Sequence, residues 1–243
     1  MKENKFDIYL YISSTKLNVA VFDKSGPIKS SFFKEFNCKT NLYKERLNFY
    51  EIDKIIEKNI FEIEKFTGNF LNDVYLVVDS PESLKIGISL SKNNEDKKIE
   101  EKDVKYLIQD CKQQVLSSNF NEDIIHIIIT NYVVDETEYK YLPLNKNCKK
   151  FSVNIEFICF PKILIKKLKE LFNNYQISIN KIICGGYVRS FNPSDSDLNI
   201  CAAGLSLVEG ANKQEVVIIP KKLEKKVFLR DFFMFLIRTG ILL

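Results

Sequence analysis

Residues 83–184 constrain the fold more than any other part of the chain. Their apolar residues alternate between the two-residue repeat of strands and the three-to-four-residue repeat of helices. In order, the patterns predict a strand, a helix, two strands, a helix and a strand, over residues 84–90, 100–117, 123–135, 151–160, 161–175 and 177–184. This order is the split βαβ pattern of a small two-layer α/β unit. We therefore predict a two-layer subdomain over residues 81–184, inserted into another fold.

Three carboxylates of this predicted subdomain are candidates for acid–base chemistry: Glu101, Asp103 and Glu156. Catalytic carboxylates normally sit in a polar cleft that shifts their pKa. The surrounding sequence predicts no such cleft. We interpret all three as solvated surface residues.

The segments outside the insertion predict an open α/β sheet. Residues 6–12, 17–22 and 28–37 form three apolar or alternating runs joined by turn signals, which predicts a meander. Residues 48–66 carry isoleucines at helical spacing. Residues 73–78 are almost wholly apolar, as expected for a buried parallel strand. After the insertion, residues 187–197 predict a loop and residues 197–209 a helix whose small side chains can pack closely on a sheet.

The meander resembles the opening of the ribonuclease H-like fold shared by actin, Hsp70 chaperones and sugar kinases. In those ATPases an Asp of the first hairpin serves the metal–phosphate site, and small residues let backbone N–H groups approach phosphate oxygens. Here Tyr11 stands at the Asp position and Ser13 at the Gly position. The hydroxyls of Ser13, Ser14 and Thr15 could still touch an anion. An ordinary polar hairpin turn is the favoured interpretation.

The C-terminal part of the sequence predicts a basic linker over residues 213–226 and an amphipathic helix over residues 227–243. The helix carries three charged residues and is shorter than the roughly 20 residues that a spanning helix needs. Bulky apolar residues on one face and arginines on the other are typical of a helix in the membrane interface. The alternative is a terminal helix docked on the protein's own core. The predicted membrane-contacting residues are Phe228, Leu229, Arg230, Phe232, Phe233, Leu236, Ile237, Arg238, Lys221, Lys222, Lys225 and Lys226.

Composition narrows the class of function. A net charge of +4 is too small to indicate nucleic-acid binding. The six cysteines show no CxxC spacing and there is a single histidine, so we expect no metal site. Reduced, buried thiols of a cytoplasmic protein are the favoured interpretation. The polar N-terminus predicts no signal peptide, and no apolar window is long enough to predict a membrane-spanning helix.

In sequence order, the segments resemble FtsA, the actin-like membrane adaptor of bacterial cell division. The segments that carry the resemblance are DVYLVVDSPESLKIGISLS, IEEKDVKYLIQDCKQQVL, DIIHIIITNYVVD, FSVNIEFICFPKILIKKLKELFNNYQISINKII and ICAAGLSLVEG. The resemblance implies a partial ribonuclease H/actin-like lobe over residues 1–80 and 185–212. Residues 81–184 would be the FtsA-type insertion, and residues 213–243 the linker and membrane-targeting helix.

The departures from FtsA shape the functional expectation. In FtsA, a second actin-like lobe follows the insertion and carries the second phosphate-binding hairpin, the adenosine site and the FtsZ-binding surface. The sequence leaves no room for this lobe between Ile183 and Cys201. Together with Tyr11, this predicts a truncated form with no ATP hydrolysis, no nucleotide or other cofactor and no catalytic residues.

The leading hypothesis is a non-catalytic FtsA-like adaptor or scaffold in bacterial cell division. It implies a peripheral protein on the cytoplasmic face of the inner membrane, at the division site. Its expected partners are the anionic membrane surface, FtsZ or later division proteins, and further copies of itself. Two alternatives remain open: an actin-like scaffold of a pilus or secretion machine, and a diverged actin-fold ATPase or kinase.

Overall fold

The computed structural model describes residues 5–26, 30–39, 46–192 and 197–216. Within these ranges the chain forms two sheets and five helices. The strands are β1 (Phe6–Ile12), β2 (Lys16–Asp23), β3 (Ser30–Asn37), β4 (Asp73–Val78), β5 (Leu84–Lys98), β6 (Glu122–Val134), β7 (Thr137–Tyr139), β8 (Asn147–Pro161) and β9 (Ser178–Cys184). The helices are α1 (Phe49–Thr67), α2 (Glu101–Ser118), α3 (Lys162–Asn173), α4 (Gly185–Phe191) and α5 (Asp197–Val208).

The first sheet has the strand order β3-β2-β1-β4-β9. The three N-terminal strands pair antiparallel, and β4 and β9 continue the sheet in parallel. Antiparallel neighbours need only a short turn, whereas the parallel strands are reached through connections that contain helices. This is the arrangement that the ribonuclease H-like resemblance implies, and we refer to this sheet and its helices as the lobe.

Helices cover both faces of the lobe sheet. The apolar stripe of α1, including Ile52, Ile56 and Ile63, is buried on one face together with α3. Helix α5 lies on the other face, where a Cβ atom added at Gly204 would come within 2.8 Å of Val77 Cγ2. Glycine at this position therefore lets helix and strand backbones approach closely, and the predicted close packing of residues 197–209 is confirmed.

The second sheet has the order β5-β8-β6-β7 and is antiparallel throughout. Helix α2 covers one face with Val104, Leu107, Cys111 and Val115. The opposite face carries polar residues such as Asn154 at one end, whereas Ile158 and Phe160 at the other end of β8 are buried against the lobe. The prediction of a two-layer insertion is therefore confirmed for this sheet and its helix.

The prediction that residues 161–184 belong to the insertion is wrong. Strand β9 pairs in parallel with β4 of the lobe, with Cys184 opposite Val78. The apolar stripe of α3, including Leu168 and Phe172, is buried in the lobe core. The same helix–strand order can close a split βαβ unit or return the chain to an interrupted sheet, and local periodicity does not distinguish the two. The inserted sheet therefore ends at Pro161.

Three smaller features differ from the sequence-based expectation. Strand β5 extends to Lys98 because its polar end pairs with the start of β8, Lys98 lying opposite Asn147. The predicted loop after the insertion begins with helix α4, whose Tyr187 and Val188 are buried. Strand β7 was not predicted because it is only three residues long.

Strand β8 contributes to both hydrophobic cores. Its alternate residues Ile158 and Phe160 belong to the core of the lobe, whereas Phe157 and Cys159 belong to the core of the inserted sheet. All four side chains are fully buried. Side chains on the two faces of β8 thus pack into two different hydrophobic cores, which holds the inserted sheet against the lobe.

Candidate functional site

A polar cluster lies where β1 and β4 end, at the position that the family resemblance assigns to the metal–phosphate site. We call Tyr11, Asp79 and Arg189 the Tyr11 cluster. The Tyr11 hydroxyl donates a hydrogen bond to Asp79 Oδ2 at 3.2 Å, and Arg189 Nη1 donates to the Tyr11 oxygen at 3.3 Å. Arg189 Nη2 also forms an ion pair with Asp79 Oδ2. Each member therefore contacts both of the others.

The electrostatics of the Tyr11 cluster favour internal pairing. Hydrogen bonding to Asp79 raises the pKa of Arg189, and burial raises the pKa of Tyr11. A carboxylate that binds Mg²⁺ must offer its oxygens to the metal. The Asp79 carboxylate instead faces a guanidinium and a phenol, and Tyr11 supplies no carboxylate of its own.

The hairpin between β1 and β2 uses its serine to close the turn. Ser13 Oγ accepts hydrogen bonds from the backbone N–H groups of Lys16, at 3.0 Å, and Thr15, at 3.4 Å. It also donates to the carbonyl oxygen of Lys16 at 3.3 Å. Such local bonds are typical of serine in turns. This geometry agrees with the interpretation of residues 13–16 as an ordinary polar turn.

A second polar cluster joins the inserted sheet, the lobe and the segment that follows α5. We call His126, Glu215, Lys181 and Tyr187 the His126 cluster. His126 Nδ1 lies 2.9 Å from Glu215 Oε1, and the backbone N–H of Cys184 donates to His126 Nε2 at 3.0 Å. Lys181 Nζ lies 3.4 Å from Glu215 Oε1, and the Tyr187 hydroxyl donates to Glu215 Oε2 at 3.2 Å.

The hydrogen bonds determine the protonation state of His126. Because Nε2 accepts a bond from a backbone N–H, the ring proton must be on Nδ1, where it is donated to Glu215. Burial lowers the pKa of His126, which also favours the neutral ring. Burial alone would raise the pKa of Glu215, but the bond from His126 and nearby charges lower it overall. A neutral imidazole therefore faces a charged carboxylate.

Tyr187 completes the enclosure of this cluster. Its ring lies 4.7 Å from the imidazole of His126, and its hydroxyl accepts a hydrogen bond from Asn212 Nδ2 at 2.6 Å. Burial raises the pKa of Tyr187, so the phenol stays protonated and able to donate to Glu215. The His126 cluster contains groups that could act as acid or base. Because the histidine is fully enclosed, we interpret the cluster as a structural contact that holds parts of the fold together.

The prediction of a basic linker from residue 213 is wrong for residues 214–216, which pair with β6. Glu215 pairs with Ile128 of β6, and the Val216 N–H donates to the carbonyl oxygen of Ile127 at 2.8 Å. The Ile129 N–H donates to the carbonyl oxygen of Gln214 at 2.9 Å. The only sequence signal for this contact was a lone histidine on an apolar strand, which did not identify its partner.

The three candidate carboxylates of the insertion are spread apart. Glu101 is exposed and lies 3.2 Å from Lys105, and Glu156 lies 3.7 Å from Lys85. Asp103 is buried, so its assignment to the solvated surface is wrong. Its side chain accepts a hydrogen bond from the Glu100 N–H and pairs with Lys92, which lowers its pKa. Asp103 therefore secures the start of α2.

The remaining predictions concern membrane contact, metal ligands and the cysteines. All twelve predicted membrane-contacting residues lie outside the described residues. Within residues 5–26, 30–39, 46–192 and 197–216, no helix is both long and apolar enough to cross a bilayer. The same ranges contain no group of three or more His, Cys, Asp or Glu side chains suited to a metal ion. All six cysteines fall in these ranges, are buried and form no disulfide.

Comparison with known proteins identifies the inserted sheet. Residues 83–159 match the family model described as the SHS2 domain inserted in FTSA. No curated protein matches the chain. The matched residues cover β5, α2, β6, β7 and nearly all of β8, and they end before α3. The insertion is therefore an SHS2 domain of the FtsA type.

Similar solved structures include a PilM–PilN type IV pilus biogenesis complex, with 9% identity, a TM-score of 0.46 and coverage of 76% of this chain and 49% of that one. Another is the cytoplasmic domain of EpsL, an inner membrane component of the type II secretion system of Vibrio cholerae. It has 5% identity, a TM-score of 0.39 and coverage of 75% and 58%.

A third is a Bacteroides thetaiotaomicron protein with an actin-like ATPase fold and unknown function, with 12% identity, a TM-score of 0.36 and coverage of 78% and 56%. This chain thus spans only about half of each of these structures.

The sheet topology and the matched domain together define the class of fold. The described residues form a mixed α/β actin-like lobe that carries an inserted antiparallel SHS2 sheet. The SHS2 sheet is inserted between β4 and β9, two strands that are neighbours in the lobe. The predicted fold class is therefore confirmed for the lobe and its insertion.

Proposed function

We propose that the chain is a non-catalytic, FtsA-like adaptor or scaffold that acts in bacterial cell division at the cytoplasmic face of the membrane. The observation that carries the proposal is the match of residues 83–159 to the SHS2 domain inserted in FtsA. The position of this domain, between adjacent strands of an actin-like lobe, supports the same assignment.

The Tyr11 cluster supports the non-catalytic part of the proposal. Phosphoryl transfer depends on positioned metal ions and on groups that stabilise phosphate charge. At the corresponding place, Tyr11 replaces the expected acid and Arg189 neutralises Asp79. We expect no binding of Mg-ATP at 1 mM in calorimetry of the full chain. Saturable binding would instead support the hypothesis of a diverged ATPase or kinase.

The membrane part of the proposal depends on the pattern of residues 221–243. An amphipathic helix beside a basic run would bind an anionic surface, with about 1 kcal/mol from each Lys or Arg close to the lipid. We expect the full chain to co-sediment with vesicles of anionic phospholipid and to remain in the supernatant with neutral vesicles. Equal co-sedimentation of the chain with neutral vesicles would mean that charge does not contribute to membrane binding.

Matched substitutions test which face binds. Replacing Phe233 by Asp adds one negative charge to the predicted apolar face and should abolish most of the co-sedimentation. Replacing Thr239 by Asp adds the same charge to the predicted polar face and should leave most of the binding. Equal loss in both variants would mean that total charge, and not an amphipathic helix, governs attachment.

The adaptor role requires a protein partner. Adding FtsZ polymers to the vesicle assay tests recruitment, and a fluorescent fusion tests position in the cell. Recruitment of FtsZ, or a band at midcell, supports the division role. Polar or scattered envelope foci without FtsZ recruitment would favour the alternative, a scaffold of a pilus or secretion machine.

A further inference from the structure

A groove runs between the inserted sheet and the lobe, along β6 and β9. Strand β9 is the edge of the lobe sheet, and β7 covers only the far end of β6, opposite residues 132–134. The groove is lined by Ile124 and Ile125 of β6, Asn180 and Ile182 of β9, and Lys112 of α2. The three isoleucines are only partly buried, so the groove exposes apolar surface from both sheets.

The described part of the chain ends inside this groove. Residues 214–216 already lie antiparallel along β6, where a single bridge places Glu215 opposite Ile128. The His126 cluster holds Glu215 in place. Because the direction is antiparallel, Val216 is the residue of this segment that lies nearest to Ile125 and Ile124. Val216 itself lines the groove.

The next four residues have the composition of a strand buried on both sides. They are Val217, Ile218, Ile219 and Pro220, an uncharged apolar run that is followed at once by Lys221 and Lys222. Apolar residues on both faces are typical of a strand that is covered on both faces. Proline has no N–H group to continue a ladder, so Pro220 is suited to end such a strand.

We propose that residues 217–220 extend the strand along the open edge of β6 and fill the groove between the SHS2 sheet and the lobe. The occupant is thus the chain's own segment, bound by β-strand addition and by burial of the half-exposed isoleucines. It would cover an edge that could otherwise pair with other chains. It would also start the basic run at a defined place on the surface, close to Lys169 and Asp123 at the far end of the groove.

Hydrogen–deuterium exchange of the full chain tests this placement. The double variant Val217→Asp, Ile219→Asp places charge in the apolar run. We expect amides of residues 123–127 and 179–182 to exchange at least tenfold faster in this variant than in the unaltered chain. The control Lys221→Ala, Lys222→Ala changes the following residues and should leave these rates unchanged.

Exchange in the meander β1–β3 should be the same in every variant, which separates loss of the docked strand from general unfolding. Equal rates in residues 123–127 for all three proteins would overturn the proposal. A second measurement is independent of these substitutions. A diazirine amino acid at position 218 of the full chain should cross-link to peptides that contain Ile125, Lys112 or Ile182.

Cross-links confined to other parts of the protein would equally overturn the proposal. So would protection of residues 123–127 that appears only when an extended apolar peptide is added, because the groove would then serve a partner. The outcome is separate from the adaptor function, since the vesicle and FtsZ assays do not depend on the position of residues 217–220.

Discussion

The Tyr11 cluster and the His126 cluster contain similar groups in different surroundings. Each includes a tyrosine hydroxyl, a carboxylate and a basic residue. In the Tyr11 cluster, the side chains of Asp79 and Arg189 are 30% and 39% exposed, whereas His126 and Glu215 are 0% and 6% exposed. Exposed ion pairs contribute little to stability, and loss of one partner from a buried pair costs several kcal/mol.

This contrast separates two roles. The Asp79–Arg189 pair lies at the position that the family resemblance assigns to the metal–phosphate site, and because both side chains are partly exposed we expect loss of this pair to cost little stability. The His126 cluster binds the SHS2 sheet, β9, α4 and the chain after α5 to one another. We therefore expect the fold to depend on the second cluster far more than on the first.

The largest expected effect is that of Glu215→Ala. The substitution leaves the His126 ring N–H and the Tyr187 hydroxyl buried without their acceptor, at about 1–3 kcal/mol for each such group. We expect the free energy of unfolding to fall by about 3 kcal/mol, measured by chemical denaturation at pH 7.5. Glu209→Ala, an exposed position nearby, should change it by less than about 0.5 kcal/mol. Similar effects at both positions would mean that Glu215 contributes no more to stability than an exposed carboxylate.

The second prediction concerns pH. Burial lowers the pKa of His126 below its ordinary value of 6.5 in the folded state, so the unfolded chain binds the proton more readily. Stability is then fully present above pH 6.5 and falls as the pH drops below that value, by at most about 1.4 kcal/mol per pH unit. The chain has a single histidine. His126→Gln keeps an acceptor for Cys184 and should abolish the slope between pH 6.5 and 5.5.

Denaturation curves at several pH values measure this slope. A slope that persists in the His126→Gln variant would assign the pH dependence to carboxylates elsewhere. If the stability of the unaltered chain did not change with pH, the conclusion that His126 is neutral and enclosed in the folded state would be wrong.

A stabilising change is expected beside the Tyr11 cluster. Asn18 lies opposite Tyr11 in the β1–β2 ladder and is fully buried. Among the residues that the structure describes, neither its amide nitrogen nor its amide oxygen has a hydrogen-bond partner. Asn18→Leu has nearly the same shape and removes this desolvation cost, so we expect a gain of about 1 kcal/mol. A loss of stability would show that the amide has a bonding role, and Asn18→Ala serves as the volume control.

The smallest expected effect is that of Arg189→Gln. This substitution removes the ion pair with Asp79 but leaves a polar side chain, and both partners are partly exposed. We expect a loss of about 0.5 kcal/mol, reduced further in 0.5 M salt. Chemical denaturation at low and high salt measures this loss of stability. Arg46→Gln, which removes a more exposed ion pair with Glu82, serves as the comparison. A fall of more than about 2 kcal/mol in the free energy of unfolding would mean that the Tyr11 cluster is important for stability.

Local patterns in the sequence determined most elements of this protein. The mostly apolar run of β4 was predicted with its observed bounds, and the small residues of α5 predicted its close approach to the sheet. The replacement of an acid by Tyr11 was also visible in the sequence. The pairing of Tyr11 with Asp79 and Arg189 was not, because these residues are far apart along the chain.

The tertiary structure alone decided which sheet β9 joins and what Glu215 contacts. Both depend on partners distant in sequence: β9 returns to β4 across the whole insertion, and Glu215 reaches His126 on β6. Side-chain periodicity records which face of an element is buried, because that depends on neighbouring residues. Periodicity does not specify which strand pairs with the edge of another. Backbone hydrogen bonds can form with any strand that packing brings to that edge.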